Sequence, residues 1–277
     1  MRVDATLQRL RVPRAGDPGP VTLVVAAHPD DEVIGAGCLI ASLASTCRVL
    51  HLTDGAPADR RYFPAFARDM SRPAYARVRR DEACRALALA GVAEAQVACL
   101  GLRDQEAAFA LVAATEYVFS TVARLGAEIV ITHAYEGGHP DHDAAAFAVQ
   151  NARAIAEARG CGGFAVVEMT GYHDRGGVTV RGEFLPREPA CGEIALDLDE
   201  DQRRRKRSMF AAYASQHAVL EPFRLEVERF RVAPVYDFRA PPHDGRLHYE
   251  RFGIGMSGAM WRGLARAAKR KLPAVEE

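Results

Sequence analysis

Two short segments of this 277-residue chain concentrate groups that can bind a metal or move a proton: His28-Pro29-Asp30-Asp31-Glu32 and His139-Pro140-Asp141-His142-Asp143. Acids beside a proline are also an ordinary way to begin a helix, because proline suits the first helical position and negative charge suits the positive end of the dipole. That reading leaves unexplained why a histidine precedes the proline both times, and why a further one follows at 142. A divalent metal accounts for both. Catalytic zinc takes three protein ligands from histidine and carboxylate and keeps a position for water, whose pKa it lowers toward neutrality. His139 and His142 are three residues apart, so at a helix start they can face the same way. Asp30 and Asp31 are adjacent and cannot point in one direction, which suits one to the metal and the other to the proton of the attacking water. The chemistry expected is metal-assisted hydrolysis.

Two distant segments meet only if the fold brings them to one edge. VTLVVAA (21–27) follows a turn-rich stretch at 14–20 and is an unbroken apolar run of the kind found in strands buried on both faces. CRVLHL (47–52), VACLGL (97–102), AEIVITH (127–133) and FAVVEM (164–169) are further strands, alternating with helical patterning over 33–45, 69–89, 106–125 and 140–158. This rhythm predicts an α/β fold, a Rossmann-like and mostly parallel sheet with helices on both faces. In such sheets ligands bind beyond the carboxyl ends of the strands, where both His-Pro-Asp segments lie. No linker interrupts 1–277, so one domain is expected: a sheet core over 21–170 and a C-terminal elaboration over 171–277.

The segments AAHPDDEVIGAGCLIA and HAYEGGHPDHDA resemble the two signature motifs of the PIG-L/LmbE-like family of zinc-dependent N-acetylglucosaminyl deacetylases. LTDG (52–55), VRRDEACRALALAGV (78–92), CLGLRD (99–104) and YASQ (213–216) extend the resemblance over most of 21–220. It implies that His28, Asp31 and His142 hold Zn2+ or another divalent metal, with Asp30 as general base. His139 would stabilise the oxyanion or protonate the leaving amine, and Asp141 would fix an imidazole's orientation. Arg80 and Asp104 are the nearest matches to sugar-binding residues of relatives, with Arg79 an alternative to Arg80. Tyr135, four residues ahead of His139, is the nearest match to a tyrosine that assists the oxyanion. The implied substrate is a small N-acylated sugar or glycoconjugate.

Composition narrows the partners. The chain has 36 basic and 36 acidic side chains, so it lacks the positive field that duplex nucleic acid demands. RRRKR (203–207) follows three acids in one helix and reads as a solvated face. With no apolar h-region at the N-terminus and no long uncharged apolar run, neither a signal peptide nor stable membrane insertion is expected. The six cysteines form no CxxC pair and lie mostly in apolar stretches, consistent with a reducing, cytoplasmic setting.

An amidase acting on a thiol or other conjugate would use the same residues. A nucleotide-binding Rossmann-type module is the rival from another class, since Gly35-Ala36-Gly37 follows strand one. There, however, Asp30 and Asp31 occupy the turn where a pyrophosphate would sit. Part of the aromatic and proline-rich stretch 217–252 is expected to form one side of the pocket and set substrate choice, with most of Tyr236, Phe238 and Tyr249 serving as core packing.

Overall fold

The fold is that of a computed structural model, which describes residues 5–10, 19–187 and 192–273. The turn-rich approach expected at 14–20 therefore lies largely outside the described residues, as does Cys191. The order of elements is α1 (Ala5–Leu10), β1 (Thr22–Ala26), α2 (Asp31–Ser42), β2 (Cys47–Pro57), α3 (Arg72–Leu89), β3 (Val97–Asp104), α4 (Leu111–Leu125), β4 (Ile129–His133), α5 (Pro140–Ala158) and β5 (Ala165–Met169). A hairpin of β6 (Tyr172–Arg175) and β7 (Val178–Arg181) follows, then β8 (Glu193–Asp197), α6 (Glu200–Ala212), α7 (His217–Leu220), β9 (Val227–Val232) and α8 (Gly258–Lys269).

Seven strands form one sheet in the order β3-β2-β1-β4-β5-β9-β8. The first five are parallel, and β9 and β8 are added antiparallel. The chain reverses its direction of growth between β1 and β4, which places the crevice of the sheet where the two His-Pro-Asp segments emerge. Every residue of β1 is buried, and its side chains alternate between two cores. Val24 and Ala26 join Leu39, Ile40, Leu87 and Met209 on one face, whereas Leu23 and Val25 join Val118, Val122, Val149 and Phe164 on the other. Residues 107–125 are apolar enough in length and composition to cross a membrane, with mean hydropathy 1.3. In the fold α4 buries Ala114, Val118 and Val122 in the second of these cores.

The segment beyond 171 elaborates the sheet as expected, β9 and β8 extending its edge beyond β5. Strand β9 also repairs a defect in α2. That helix kinks at Ala36 (φ −145°, ψ 17°), and the Glu228 carboxylate of β9 accepts the freed amides of Cys38 (2.8 Å) and Leu39 (3.0 Å). Lys206 donates to the Ile34 carbonyl at 2.9 Å and to Glu228 at 2.7 Å, both charges being fully buried. The basic run 203–207 is thus not uniformly solvated: Arg204, Arg205 and Arg207 are exposed, while Lys206 turns inward. Gly35 is where α2 meets β5, since a Cβ there would lie 2.7 Å from the Met169 side chain. The glycines at 35 and 37 therefore serve helix packing and not a phosphate turn. Among the described cysteines Cys38 and Cys47 are buried as expected, but Cys99 and Cys161 are exposed.

Candidate metal centre and active site

Asp31, the first residue of α2, sits at the centre of the crevice and is buried. One carboxylate oxygen lies 3.0 Å from His28 Nδ1 and accepts the His28 amide at 2.8 Å. The other lies 3.1 Å from His142 Nε2. His142 is the third residue of α5, so the two segments converge through this single carboxylate. Burial works to raise the Asp31 carboxyl, but the imidazoles of His142, His133 and His28 outweigh it and hold it well below the ordinary range.

His28 is fixed from its far side. Its Nε2 lies 3.1 Å from both the Asp141 and the Asp104 carboxylates. Asp141 is itself locked by the amides of Gln105 (2.6 Å) and Ala107 (3.0 Å). A carboxylate on one imidazole nitrogen aims the other at a metal, the arrangement that commonly orients a ligating histidine. Among the described residues, candidate ligand atoms within 4.8 Å of one another fall into three overlapping groups: His28, His139 and His142; Asp31, His133 and His142; and His28, Asp104, His139 and Asp141. Two imidazole nitrogens meeting on one carboxylate are a donor set that suits Zn2+ or a similar divalent ion.

Asp30 points elsewhere. Its backbone is held at φ 141°, a conformation that L side chains rarely adopt, and its amide donates to the Glu32 carboxylate at 3.0 Å. The Asp30 carboxylate lies 3.1 Å from an Arg79 nitrogen that also donates to the Pro29 carbonyl at 2.6 Å. Burial raises the Asp30 carboxyl to about 8 despite Arg79. Beyond accepting the Asp30 amide, Glu32 faces away from the histidines of the crevice: it accepts from the Tyr213 hydroxyl at 2.5 Å and lies 2.9 Å from His51 Nε2. The YASQ segment is explained in the same way, because Ser215 binds Glu82 of α3 through its amide and its hydroxyl.

His139 caps α5, its Nδ1 accepting the Asp141 amide at 3.2 Å. That bond places the proton on Nε2. Burial and the neighbouring His28 push its imidazole down to about 3, so it is a neutral donor. Gly138 lets the chain pass beneath the β6 hairpin, for a Cβ there would lie 2.0 Å from the Tyr172 carbonyl.

Three expectations change. Arg80 is 65% exposed and pairs with Glu94 at 3.0 Å, whereas Arg79, one step round the helix, faces the site. Tyr135 donates to the Ala240 carbonyl at 2.9 Å and packs among Tyr236, Phe238 and Trp261, a core position with no hydroxyl in the crevice. Asp104 is in the site, but its carboxylate is engaged with His28. The sequence also left two residues unnoticed. His133 stacks on His142 at 4.0 Å and lies 3.4 Å from Asp31, and Tyr172 packs edge-on to His142 at 5.1 Å. Each closes or follows a strand at its carboxyl end, β4 and β5 respectively, and that position was their available signal.

Residues 23–153 match the family described as PIG-L: GlcNAc-PI de-N-acetylase. No curated protein matches the sequence. Among solved structures, the chain is similar to a deacetylase of teicoplanin biosynthesis, with TM-score 0.56 and 18% identity over 76% of this chain and 96% of that one. It is similar also to the N,N'-diacetylchitobiose deacetylase of Pyrococcus horikoshii, with TM-score 0.56 and 18% identity over 77% and 83%. A further similar structure is GalB, the 4-carboxy-2-hydroxymuconate hydratase of Pseudomonas putida, with TM-score 0.53 and 19% identity over 78% and 97%. At these identities the likeness is one of fold, and a fold can carry more than one reaction. The family match, by contrast, spans both His-Pro-Asp segments, and residues 23–153 form a PIG-L family domain, the core of an amide-hydrolysing enzyme of the deacetylase class.

Proposed function

We propose that this protein removes the N-acyl group from an N-acetylglucosamine-type sugar or sugar conjugate, with zinc held by His28, Asp31 and His142. The observation that carries the reading is the division between adjacent carboxylates: Asp31 joins two imidazoles, and Asp30 turns away to Arg79. A bound zinc ion would supply Lewis acidity and lower the pKa of water. Asp30 accepts a proton from the attacking water, with Arg79 holding the carboxylate in place. His139 donates its Nε2 proton as a hydrogen bond to the carbonyl oxygen as that oxygen gains charge. The water oxygen bonds to the carbonyl carbon, the C–N bond breaks, and the proton taken by Asp30 leaves with the amine. The products are a carboxylate and a free amino sugar.

The test is amine release by zinc-loaded protein from a panel of N-acetylated sugars, with wild type and Asp30→Asn compared. Asp30→Asn should keep its metal and lose turnover on the order of 10²-fold or more. Full turnover in that variant, or a normal metal content without Asp31 and His142, would overturn the assignment.

A further inference from the structure

Beside His139 a cavity of about 410 Å³ opens to solvent, walled by segments outside the parallel sheet. Tyr62 comes from the turn after β2, Tyr172 from the β6 hairpin, Val219 and Phe223 from α7 and its exit, and Phe252 from the turn after 248–251. The wall is mostly apolar, and so is the rim. Of the nine large hydrophobic side chains exposed among the described residues, Tyr62 (41%), Val219 (50%) and Phe252 (57%) cluster here. Large apolar groups gathered in the open around one concavity mark a binding surface.

Among the polar side chains of this wall, His248 is committed on both ring nitrogens. His248 uses Nδ1 on the Gly138 carbonyl and Nε2 on the Thr179 hydroxyl, both at 3.1 Å. Arg181 lies over the Phe223 ring at 5.8 Å. Ala218, Val219, Pro222, Phe223, Phe252 and Ile254 offer no polar atom from their side chains, so a sugar hydroxyl laid against them would lose hydration without a partner, which costs free energy. An alkyl chain would gain by the same transfer. The scissile amide has two unlike ends, a polar amino sugar and an acyl chain. The carboxylates of the site, Asp30, Asp31, Asp104 and Asp141, are all absent from the cavity wall, so the polar end of the substrate has its partners elsewhere.

Resting on the hydrolase reading, we infer that the acyl chain occupies this cavity and that the preferred substrates carry N-acyl groups longer than acetyl. Hydrolysis then releases a medium-chain carboxylate and the amino sugar, with no further reactant than water.

The experiment compares N-acetyl-, N-butanoyl-, N-hexanoyl- and N-octanoylglucosamine in two assays. In the first, amine release by zinc-loaded protein should rise in kcat/KM by roughly two- to fourfold per added methylene until the cavity is filled. In the second, calorimetry on metal-free protein should show the octanoyl compound binding more tightly than the acetyl one, whether or not turnover occurs. Val219→Asp and Phe252→Asp place a charge on the exposed rim, where the fold tolerates it, and should collapse the octanoyl-to-acetyl ratio in both assays. Equal affinities, no binding of the octanoyl compound, or an unchanged ratio in both variants would overturn the inference. Absence of amine release alongside chain-dependent binding would overturn the hydrolase reading and leave the acyl cavity standing.

Discussion

His28-Pro29-Asp30 and His139-Pro140-Asp141 are the same tripeptide, yet they enter their helices at different points. In the first, the helix begins after the tripeptide: Asp30 is the cap, at φ 141°, and Asp31 is the first helical residue. In the second, His139 is itself the cap, at φ −135°, and proline opens the helix. An offset of two residues exchanges the roles of every side chain. His28 lies ahead of the cap with a nitrogen on Asp31, whereas His139 spends Nδ1 on capping and has only Nε2 to offer. Asp30 faces Arg79, whereas Asp141, inside the first turn, is sealed beneath His28. The next residue after each tripeptide supplies the shared point of contact, Asp31 from one helix and His142 from the other. The lesson is that register against the helix start, and not the motif letters, assigns chemistry.

The largest effect that could break this comparison lies between the two histidines of the second segment. His142→Ala should reduce bound zinc, measured by elemental analysis, to near zero and abolish turnover. His139→Ala should keep the metal and lower kcat on the order of 10²- to 10³-fold with KM little changed. Equal metal loss in both would erase the distinction between cap and ligand. Next in size, Asp141→Asn should weaken zinc affinity about 10- to 100-fold in a chelator competition, because His28 loses the anion that aims it. An unchanged affinity would assign that task to Asp104 alone. The smallest effect concerns the prolines. Pro140 opens a helix, so Pro140→Ala should cost about 0.4–1 kcal/mol of stability and leave kcat intact. Pro29 restrains the residue before a strained Asp30, and Pro29→Ala should lower kcat as well. If both prolines affect stability alone, the φ of Asp30 does not matter to turnover.

Much of the frame was legible because its signals are local. The five parallel strands are short apolar runs, and the segments at their carboxyl ends carry the chemistry. Strand β9 was not legible, since VERFRV buries Glu228 and Arg231 and so mimics a solvated segment. Those charges are tolerable inside only because Lys206, Glu168 and Glu136 meet them from elsewhere in the chain. Helix α8 escaped notice too, although Trp261, Leu264, Ala265 and Ala268 recur at helical spacing and pack in one core, because three of its twelve residues are basic and most of its apolar ones are small. The choice between Arg79 and Arg80 depends on about 100° of helix rotation, which adjacent arginines in a polar helix do not declare. Of the stretch 217–252, Tyr236 and Phe238 joined the core as expected, while Val219, Phe223 and Phe252 reached the cavity.

The kink at Ala36 sets a schedule for synthesis. The helix that presents Asp31 has two amides without partners until Glu228 arrives, nearly two hundred residues later. At ribosomal speeds that interval is on the order of 10–40 s. Throughout it the emerging chain holds the family's signature without the strand that completes its first active helix. A nascent chain halted before 228 should therefore remain protease-sensitive around 31–42 even with zinc present, and the metal-binding edge should become resistant only when the last strand of the sheet has been delivered.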